Sequence, residues 1–315
     1  MKLPSPMLTV SCPPFVHCGA TARGRMLEFL LALAPAAVMA AVTYGLPAVR
    51  VMALSMAVAV FVEWGCFRLM RREPEIDDCN ALLLGLLFAF LLPASAPWWL
   101  VAAGSAITIV MGKMIFGGLG GAPLAAPVVG WTICRLSWPT PLDFDVSMLN
   151  SPLIWPLSQL KHFGPAAAAR FTDMDLLLGH QLGGLGATQV LALLIGGAYL
   201  LLRGHIRWHI PLAFLAGTAL AAWVFQAAYP AQTVGPLFHV LAGSTVFAAF
   251  FLATDHSSSP KGPLPMLLYG LLGGIMVMVI RFWGVYPDGA AFAVLLANLS
   301  TPLVDRIRPK PFGGA

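Results

Sequence analysis

Charged side chains are scarce in this chain. Only 10% of its 315 residues are Asp, Glu, Lys or Arg, and 59% are hydrophobic. A soluble globular domain carries about a quarter charged residues. The shortage excludes a soluble protein, and the mean hydropathy of +0.83 indicates a chain that crosses a membrane several times. The net charge of +5 does not indicate nucleic-acid binding, because basic residues gathered at one face of a bilayer explain it.

Cysteine is also scarce. The five cysteines are scattered along the chain, at Cys12, Cys18, Cys66, Cys79 and Cys134. Four of them fall on the side assigned below to the cytoplasm, where disulfides are disfavoured. The spacing of Cys12, His17 and Cys18 matches no usual zinc or iron–sulfur pattern. A membrane haem would need histidines on two facing helices, and only His239 lies at membrane depth, so a b-type cytochrome is excluded.

The hydrophobic segments show an internal repeat. Residues 84–130 and 243–304 each contain a short interrupted apolar segment, a full-length one, a break marked by Gly or Pro, and another short segment. Interrupted segments at corresponding positions in two halves are typical of membrane proteins built from structural repeats, and they indicate where a site lies. Residues 1–25 have no central apolar run, so the first hydrophobic segment is interpreted as a span rather than a secretory signal.

The chain divides into ten apolar segments. Six are full-length, at 26–47, 48–68, 97–115, 186–203, 208–228 and 264–283, and four are short, at 80–93, 123–136, 236–253 and 288–303. Helix ends inside a membrane are tolerated only where protein or a water-filled cavity covers them, so the short helices should face the interior. The predicted fold is an all-α polytopic membrane protein, with about ten transmembrane helices in two inverted five-helix repeats.

Basic residues set the predicted orientation. With a cytoplasmic N-terminus, thirteen Lys and Arg residues fall on the inside and five on the outside, so both termini should be cytoplasmic. Five spans per half is an odd number, which gives the halves opposite orientations. The predicted regions are a cytoplasmic N-terminal segment, a first repeat, an outer connection, a second repeat and a cytoplasmic tail, at 1–25, 26–136, 137–185, 186–303 and 304–315.

Several motifs resemble those of the RnfD/NqrB family. They are NALLLGLLFAFLLPASAPWWLVAAGSAITIVMGKMIFGGLGGAP, GGLGATQVLALLIGGAYLLLR and above all FFLATDHSS followed by RFWGVYPDGAAFAVLLANLSTPLVDR. The resemblance covers nearly the whole chain, and the length suits the RnfD members better. It implies a non-autonomous subunit, in the bacterial inner membrane, of an Rnf complex that couples electron transfer between ferredoxin and NAD to Na⁺ or H⁺ translocation. It also implies flavin cofactors (FMN, and riboflavin), other Rnf-type membrane subunits as partners, and an outer-side flavoprotein subunit.

The chain departs from the family at the covalent flavin motif. Family members join FMN by a phosphoester to a threonine in a D-G-x-S-G-A-T-P-L-like motif in the outer connection, and no S-G-A-T is present there. One alignment places Trp155 at the threonine and preserves the spacing of SQLKHFG to MDLLLG, while another places Thr140 there. Thr188 lies in a GAT sequence without the upstream Asp or the following Pro-Leu. Because a phosphoester requires a hydroxyl, Thr140 is the candidate for covalent FMN, and flavin is otherwise held non-covalently or supplied by another subunit.

Candidate flavin-site residues lie near the interrupted helices. Lys113 precedes a glycine-rich run that includes Gly120, and glycine backbone before a helix can approach an anion. The run matches neither a P-loop nor a dinucleotide fingerprint, so it is also consistent with a flexible turn. Asp255 lies in the family-like ATD sequence and is otherwise an ordinary loop acid.

Two further candidates lie around the last short segment. Asp288 either caps the helix that follows it or lines an intramembrane cavity. Asn298 either contacts a flavin edge or bonds to another helix. Outside these candidates, Glu63 is placed to pair with Arg68 on span two. From the repeat alone, a secondary transporter or a structural anchor without a cofactor remains an alternative to the redox subunit.

Overall fold

The computed structural model describes residues 21–71, 76–148 and 152–307, and all regular structure in those ranges is helical. Cys12, His17 and Cys18 lie outside the described residues. Five described helices are long and apolar enough to cross a membrane, and three further apolar helices are shorter. The predicted all-α polytopic fold is confirmed.

The first repeat contains five helices. They are α1 (Ala22–Tyr44), α2 (Leu46–Leu69), α3 (Asn80–Leu91), α4 (Trp98–Gly112) and α5 (Ala126–Ser137). Thr21 caps α1 by accepting a hydrogen bond from the Gly24 amide at 3.1 Å. Gly45, at φ 69°, ends α1, and Pro47 lies in the first turn of α2. The two long helices are therefore joined by a single residue.

The connection between the repeats contains short helices. They are α6 (Phe144–Met148), α7 (Pro156–Phe163), α8 (Pro165–Ala168) and α9 (Asp173–Leu177). A small apolar core holds them together, with Phe144, Trp155 and Leu176 buried in it and Phe238 contributed by the second repeat. The connection is therefore packed onto one end of the bundle, which we call the loop end. The opposite end, where α1 begins, is called the amino-terminal end.

The second repeat contains the remaining helices. They are α10 (Val190–Leu202), α11 (His209–Ala228), α12 (Pro236–Leu241), α13 (Thr245–Phe247, continued by a π-helical turn Ala248–Leu252), α14 (Pro263–Trp283) and α15 (Ala290–Val304). Glycines at the contact let α11 and α14 pack closely, since a Cβ at Gly274 would lie 2.1 Å from the Phe214 carbonyl oxygen.

In the first repeat, a side-chain hydrogen bond joins two helices. The Ser55 hydroxyl of α2 donates to the Gly85 carbonyl of α3 at 2.6 Å.

The two repeats are inverted relative to each other. Arg203, just after α10, donates to Glu28 in the second turn of α1 at 3.0 Å, so these equivalent helices run antiparallel. The equivalent helices α5 and α15 are also in contact, where Trp131 in the middle of α5 meets Phe292 near the start of α15 with ring centroids 5.1 Å apart. The contact between the end of α10 and the start of α1 has the opposite directions that an inverted repeat requires.

Of the interrupted helices, α3 and α13 lie in the protein interior, as predicted, whereas α15 exposes Leu296, Leu299 and Leu303. Every residue of α3 except Leu82 is buried, and so are all residues of α13 and its π-helical turn. Backbone groups at the ends of these short helices are consequently covered by protein rather than by lipid.

Two predicted segments are different in the structure. The segment 186–203 was predicted as full-length, but its helix, α10, has 13 residues. The preceding backbone instead donates to the end of α3, from Leu185 to the Leu92 carbonyl at 2.9 Å. A Cβ at Gly186 would lie 2.3 Å from the Phe90 ring, so this close approach requires glycine. The segment 236–253 is two helices, because the chain turns at Gly243, where φ is 72°.

Candidate functional site

A cavity of about 440 Å³ opens at the amino-terminal end. It lies where α1, α3 and α5 begin and where α4 and the π-helical turn end. We call it the amino-terminal cavity. Its apolar walls include Met26, Phe29, Leu83, Leu87 and Phe251, and its polar lining includes Thr21, Arg25, Asn80, Lys113, Thr254, Asp255, His256 and Ser257. The volume falls within the range of small-molecule sites, which are mostly apolar with a few placed polar groups.

Lys113 contributes a buried cation to this cavity. It lies directly after α4, where the helix dipole favours positive charge. Its side chain is 5% exposed and forms an ion pair with Glu63 of α2, which is 1% exposed, and Asp78 lies 3.8 Å away. The expected pairing of Glu63 with Arg68 is wrong, because Arg68 lies over the Trp64 ring at 5.6 Å. Glu63 is one turn deeper and reaches the interior.

The glycine run that follows Lys113 forms a bare backbone edge. Gly118 and Gly120 have φ values of 106° and 84°, which side chains rarely adopt. A Cβ at either position would meet no atom within 4 Å, and both residues line the cavity. The run therefore exposes its peptide groups to a ligand in the cavity. An anionic or flat polar ligand needs such uncovered backbone to come within hydrogen-bonding distance.

The turn after the π-helical segment forms the opposite side of the cavity. Asp255 accepts hydrogen bonds from the hydroxyls of Ser257 and Ser258. His256 contacts the Phe29 ring edge-to-face at 5.8 Å. Burial, aided by nearby Arg25, lowers the pKa of His256 below its ordinary value of 6.5. The imidazole is therefore neutral near pH 7 and can both donate and accept.

The repeat-equivalent cation, Arg281, lies at the loop end. It lies in the last turn of α14, much as Lys113 lies directly after α4. Its guanidinium donates to the carbonyls of His239 and Ala242 and to the Thr245 hydroxyl, at 2.6, 2.9 and 2.7 Å. These acceptors surround the break between α12 and α13. Arg281 therefore satisfies the backbone where that helix is interrupted.

Asp288 completes this arrangement. Its carboxylate accepts from Arg281 at 3.2 Å and from the Ser244 amide and hydroxyl at 2.9 and 2.6 Å. It also accepts from the Ala290 amide, the first of α15, at 3.3 Å, where a carboxylate complements the helix dipole. Asp288 is thus both an acceptor at the N-terminus of α15 and the partner of a buried cation.

A second, much smaller cavity of about 20 Å³ lies beside Asp288. We call it the aromatic cavity, because Trp131, Phe144, Trp155 and Tyr286 line it together with Leu142. Trp155 is 3% exposed and contacts Phe144 edge-to-face at 5.1 Å. The volume is near that of a single water molecule. Aromatic side chains therefore fill this region.

The structure brings together three of the six predicted site residues. Lys113, Gly120 and Asp255 line the amino-terminal cavity. Asp288 lies at the loop end, and Thr140 is exposed there in a short 3₁₀ turn.

Asn298 does not line these cavities. Its side chain accepts a hydrogen bond from the Tyr269 hydroxyl at 2.5 Å, which joins α14 to α15. Sequence reasoning missed the pairing of Glu63 with Lys113 and the role of Arg281 at the helix break. The sequence did contain one signal for both, because Lys113 and Arg281 lie at the ends of equivalent long helices.

An inverted-repeat helical bundle with interrupted helices and a cavity at their ends defines a class of polytopic membrane proteins whose sites lie between the repeats. A family model described as the NQR2, RnfD, RnfE family matches residues 9–313, and the chain belongs to this family.

Named relatives cover nearly the same length. The chain is 33% identical to the D subunit of the ion-translocating oxidoreductase complex of Yersinia enterocolitica, over 97% of this chain and 98% of the relative. It is 32% identical to the D subunit of the Na(+)-translocating ferredoxin:NAD(+) oxidoreductase complex of Acetobacterium woodii, over 95% of this chain and 93% of the relative.

Proposed function

We propose that this chain is the RnfD-type membrane subunit of an Rnf-type complex. Such a complex couples electron transfer between ferredoxin and NAD to the translocation of Na⁺ or H⁺ across the membrane. Similarity to RnfD-type proteins over the full length of both chains is the observation that carries the proposal. The inverted bundle supports it, because the site lies where a membrane-embedded carrier would be sheltered from lipid.

We further propose that the amino-terminal cavity binds a flavin non-covalently, either riboflavin or FMN. A flavin supplies one- and two-electron transfer when it is bound. The fit rests on three features of the cavity: its size, its apolar walls and the uncovered peptide edge at Gly118 and Gly120. Around a bound flavin, the apolar walls would exclude water, and Asn80 and Lys113 would orient the polar edge of the ring.

Filling the cavity tests this assignment. Ala122 is 7% exposed and lines the cavity, so Ala122→Phe should exclude the ligand. Ile115→Phe is the matched control, because Ile115 is 60% exposed and does not line the cavity. Flavin extracted from the purified complex should fall in the first variant and remain at the wild-type level in the second. Equal flavin contents in all three proteins would refute the assignment.

We propose that FMN is not attached covalently at the loop end of this chain. The aromatic cavity, at about 20 Å³, is too small for a flavin ring, and Trp155 has no hydroxyl for a phosphoester. Thr140 has the hydroxyl but is exposed to the outside of the bundle. Mass spectrometry of a peptide spanning residues 136–170 tests this, and we expect it to have its unmodified mass. An FMN adduct on Thr140 would restore covalent attachment.

We propose that the protein lies in the cell inner membrane with both termini in the cytoplasm. The loop end then faces outward, where the packed connection 152–185 offers a surface to an outer-side flavoprotein subunit. Single cysteines at Phe163 and Arg306, in a cysteine-free background, test the orientation. A membrane-impermeant thiol reagent added to intact cells should label the first and not the second. The reverse pattern would overturn the orientation.

The whole function is tested in inverted membrane vesicles. Vesicles containing the complete complex should take up ²²Na⁺ or protons when reduced ferredoxin and NAD are supplied, and a deletion of this chain should abolish uptake. A Na⁺ ionophore and a protonophore then distinguish the two ions. Electron transfer and uptake that persist without this chain would favour the structural anchor.

A further inference from the structure

A third cavity, of about 250 Å³, lies at the loop end between α7, α12 and α14. We call it the histidine cavity. Its polar lining includes Lys161, Thr233, His239 and Arg281, and Leu157 and Phe282 form part of its apolar wall. His239 has no part in the flavin binding or ion translocation proposed above.

Two buried side chains on this cavity have polar atoms without partners. His239 is 2% exposed, and neither of its ring nitrogens has a hydrogen-bond partner among the described residues. The Nε of Arg281 is likewise buried without an acceptor from that part of the chain. Whatever its tautomer, an imidazole has at least one N–H donor. Buried donors without acceptors are rare in folded proteins, so these donors indicate an acceptor that the protein itself does not supply.

The charges around the cavity favour an anion. Among the described residues, the carboxylate in contact with Arg281 is that of Asp288, which binds its terminal nitrogen and two groups of Ser244 rather than Nε. Lys161 is half-buried and donates to the Gly284 carbonyl, which is neutral. Burial lowers the pKa of Lys161 below its ordinary value, and no acidic side chain in the described part of the chain offsets that effect. One positive charge therefore remains uncompensated beside the two orphaned donors.

We propose that the histidine cavity binds a phosphate-type oxyanion through Arg281, His239 and Lys161. The oxyanion accepts hydrogen bonds from Arg281 Nε and the imidazole, and its charge offsets that of Lys161, since charge-assisted hydrogen bonds of this type are the strong ones. The cavity is larger than one phosphate and has an apolar wall. The group is therefore supplied either by free phosphate or by the headgroup of an anionic lipid.

Binding of inorganic phosphate to the purified full-length chain in neutral detergent is the first test. Lys161→Met and His239→Phe should each weaken binding by about tenfold or more, because each removes one charge-assisted contact. Arg170→Met is the matched control, since it removes an exposed cation of the connection that does not line the cavity. Arg281 is left intact because it also holds the break between α12 and α13.

The two sources are separated in nanodiscs. If a lipid supplies the phosphate, native mass spectrometry should show phosphatidylglycerol retained by the wild-type chain and by Arg170→Met, but lost from Lys161→Met and His239→Phe. If free phosphate is the ligand, it should bind in phosphatidylcholine nanodiscs with the same order of variants. Affinities unchanged by Lys161→Met and His239→Phe, or no retention of either ligand by the wild type, would overturn the proposal.

Discussion

Loss of Lys113 should destabilise the bundle strongly. Lys113 and Glu63 are 5% and 1% exposed, so neither charge is solvated by water in the folded chain. Replacing Lys113 by Met removes the cation, while the Glu63 carboxylate stays buried. Removing one partner of a buried ion pair costs about 3–5 kcal/mol. We therefore expect Lys113→Met to lower the free energy of unfolding by about that amount.

The double variant Glu63→Leu with Lys113→Met distinguishes the ion pair from simple packing. A buried pair replaced by apolar residues of similar volume is often neutral or stabilising. The double variant should therefore recover most of the loss, and the double-mutant cycle should give a coupling of about 3 kcal/mol. Unfolding of the flavin-free chain in mixed micelles, followed by far-UV circular dichroism, provides the free energies.

Lys261→Met serves as the control for this series, because Lys261 is exposed at the same end of the molecule. Surface substitutions of this kind change stability by about 0.5 kcal/mol or less. If Lys113→Met and Lys261→Met were equally stable, or if the double variant were no more stable than Lys113→Met, the buried pair would not have the energetic role argued above.

Three further changes test other parts of the fold. Gly196→Ala should destabilise by about 1–3 kcal/mol, because a Cβ there would lie 1.9 Å from the Ala32 carbonyl oxygen across the repeat interface. Gly65→Ala, where an added Cβ would meet no neighbouring segment within 4 Å, should be neutral or stabilising in the same unfolding assay. Because the pKa of His256 is lowered on folding, its neutral form is favoured in the folded chain and stability should fall as the pH drops below about 6.5. His256→Gln should reduce that pH dependence of the melting temperature, and an unchanged dependence would contradict the assignment. Gln181 joins the connection to the second repeat through the Leu241 carbonyl and the Gly243 amide, both at 3.1 Å; Gln181→Leu should speed proteolysis of residues 152–185, whereas wild-type rates would contradict this link.

Hydropathy and segment length were sufficient to predict most of the bundle. Long apolar runs have one low-energy arrangement in lipid, a helix, because every backbone group must be hydrogen-bonded within the segment. The five long spans and three of the four short segments therefore appear close to their predicted places. The inversion also followed from the sequence, since an odd number of spans per half reverses the second repeat.

Backbone pairing between distant segments could not be predicted in the same way. Leu185 donates to the Leu92 carbonyl at 2.9 Å, which shortens α10, and only the folded position of α3 makes that acceptor available. The turn at Gly243 likewise depends on Arg281 and Gln181, which reach it from other helices.

The sequence by itself determined the class of the protein, the inverted halves and three residues of one cavity, because apolar length, charge bias and glycine content act locally along the chain. Only the tertiary structure decided which charges pair and which cavities remain open. Lys113 pairs with Glu63 from 50 residues away, and Trp155 fills a cavity whose other walls come from both repeats. Contacts of this range depend on how whole helices pack, which no local pattern specifies.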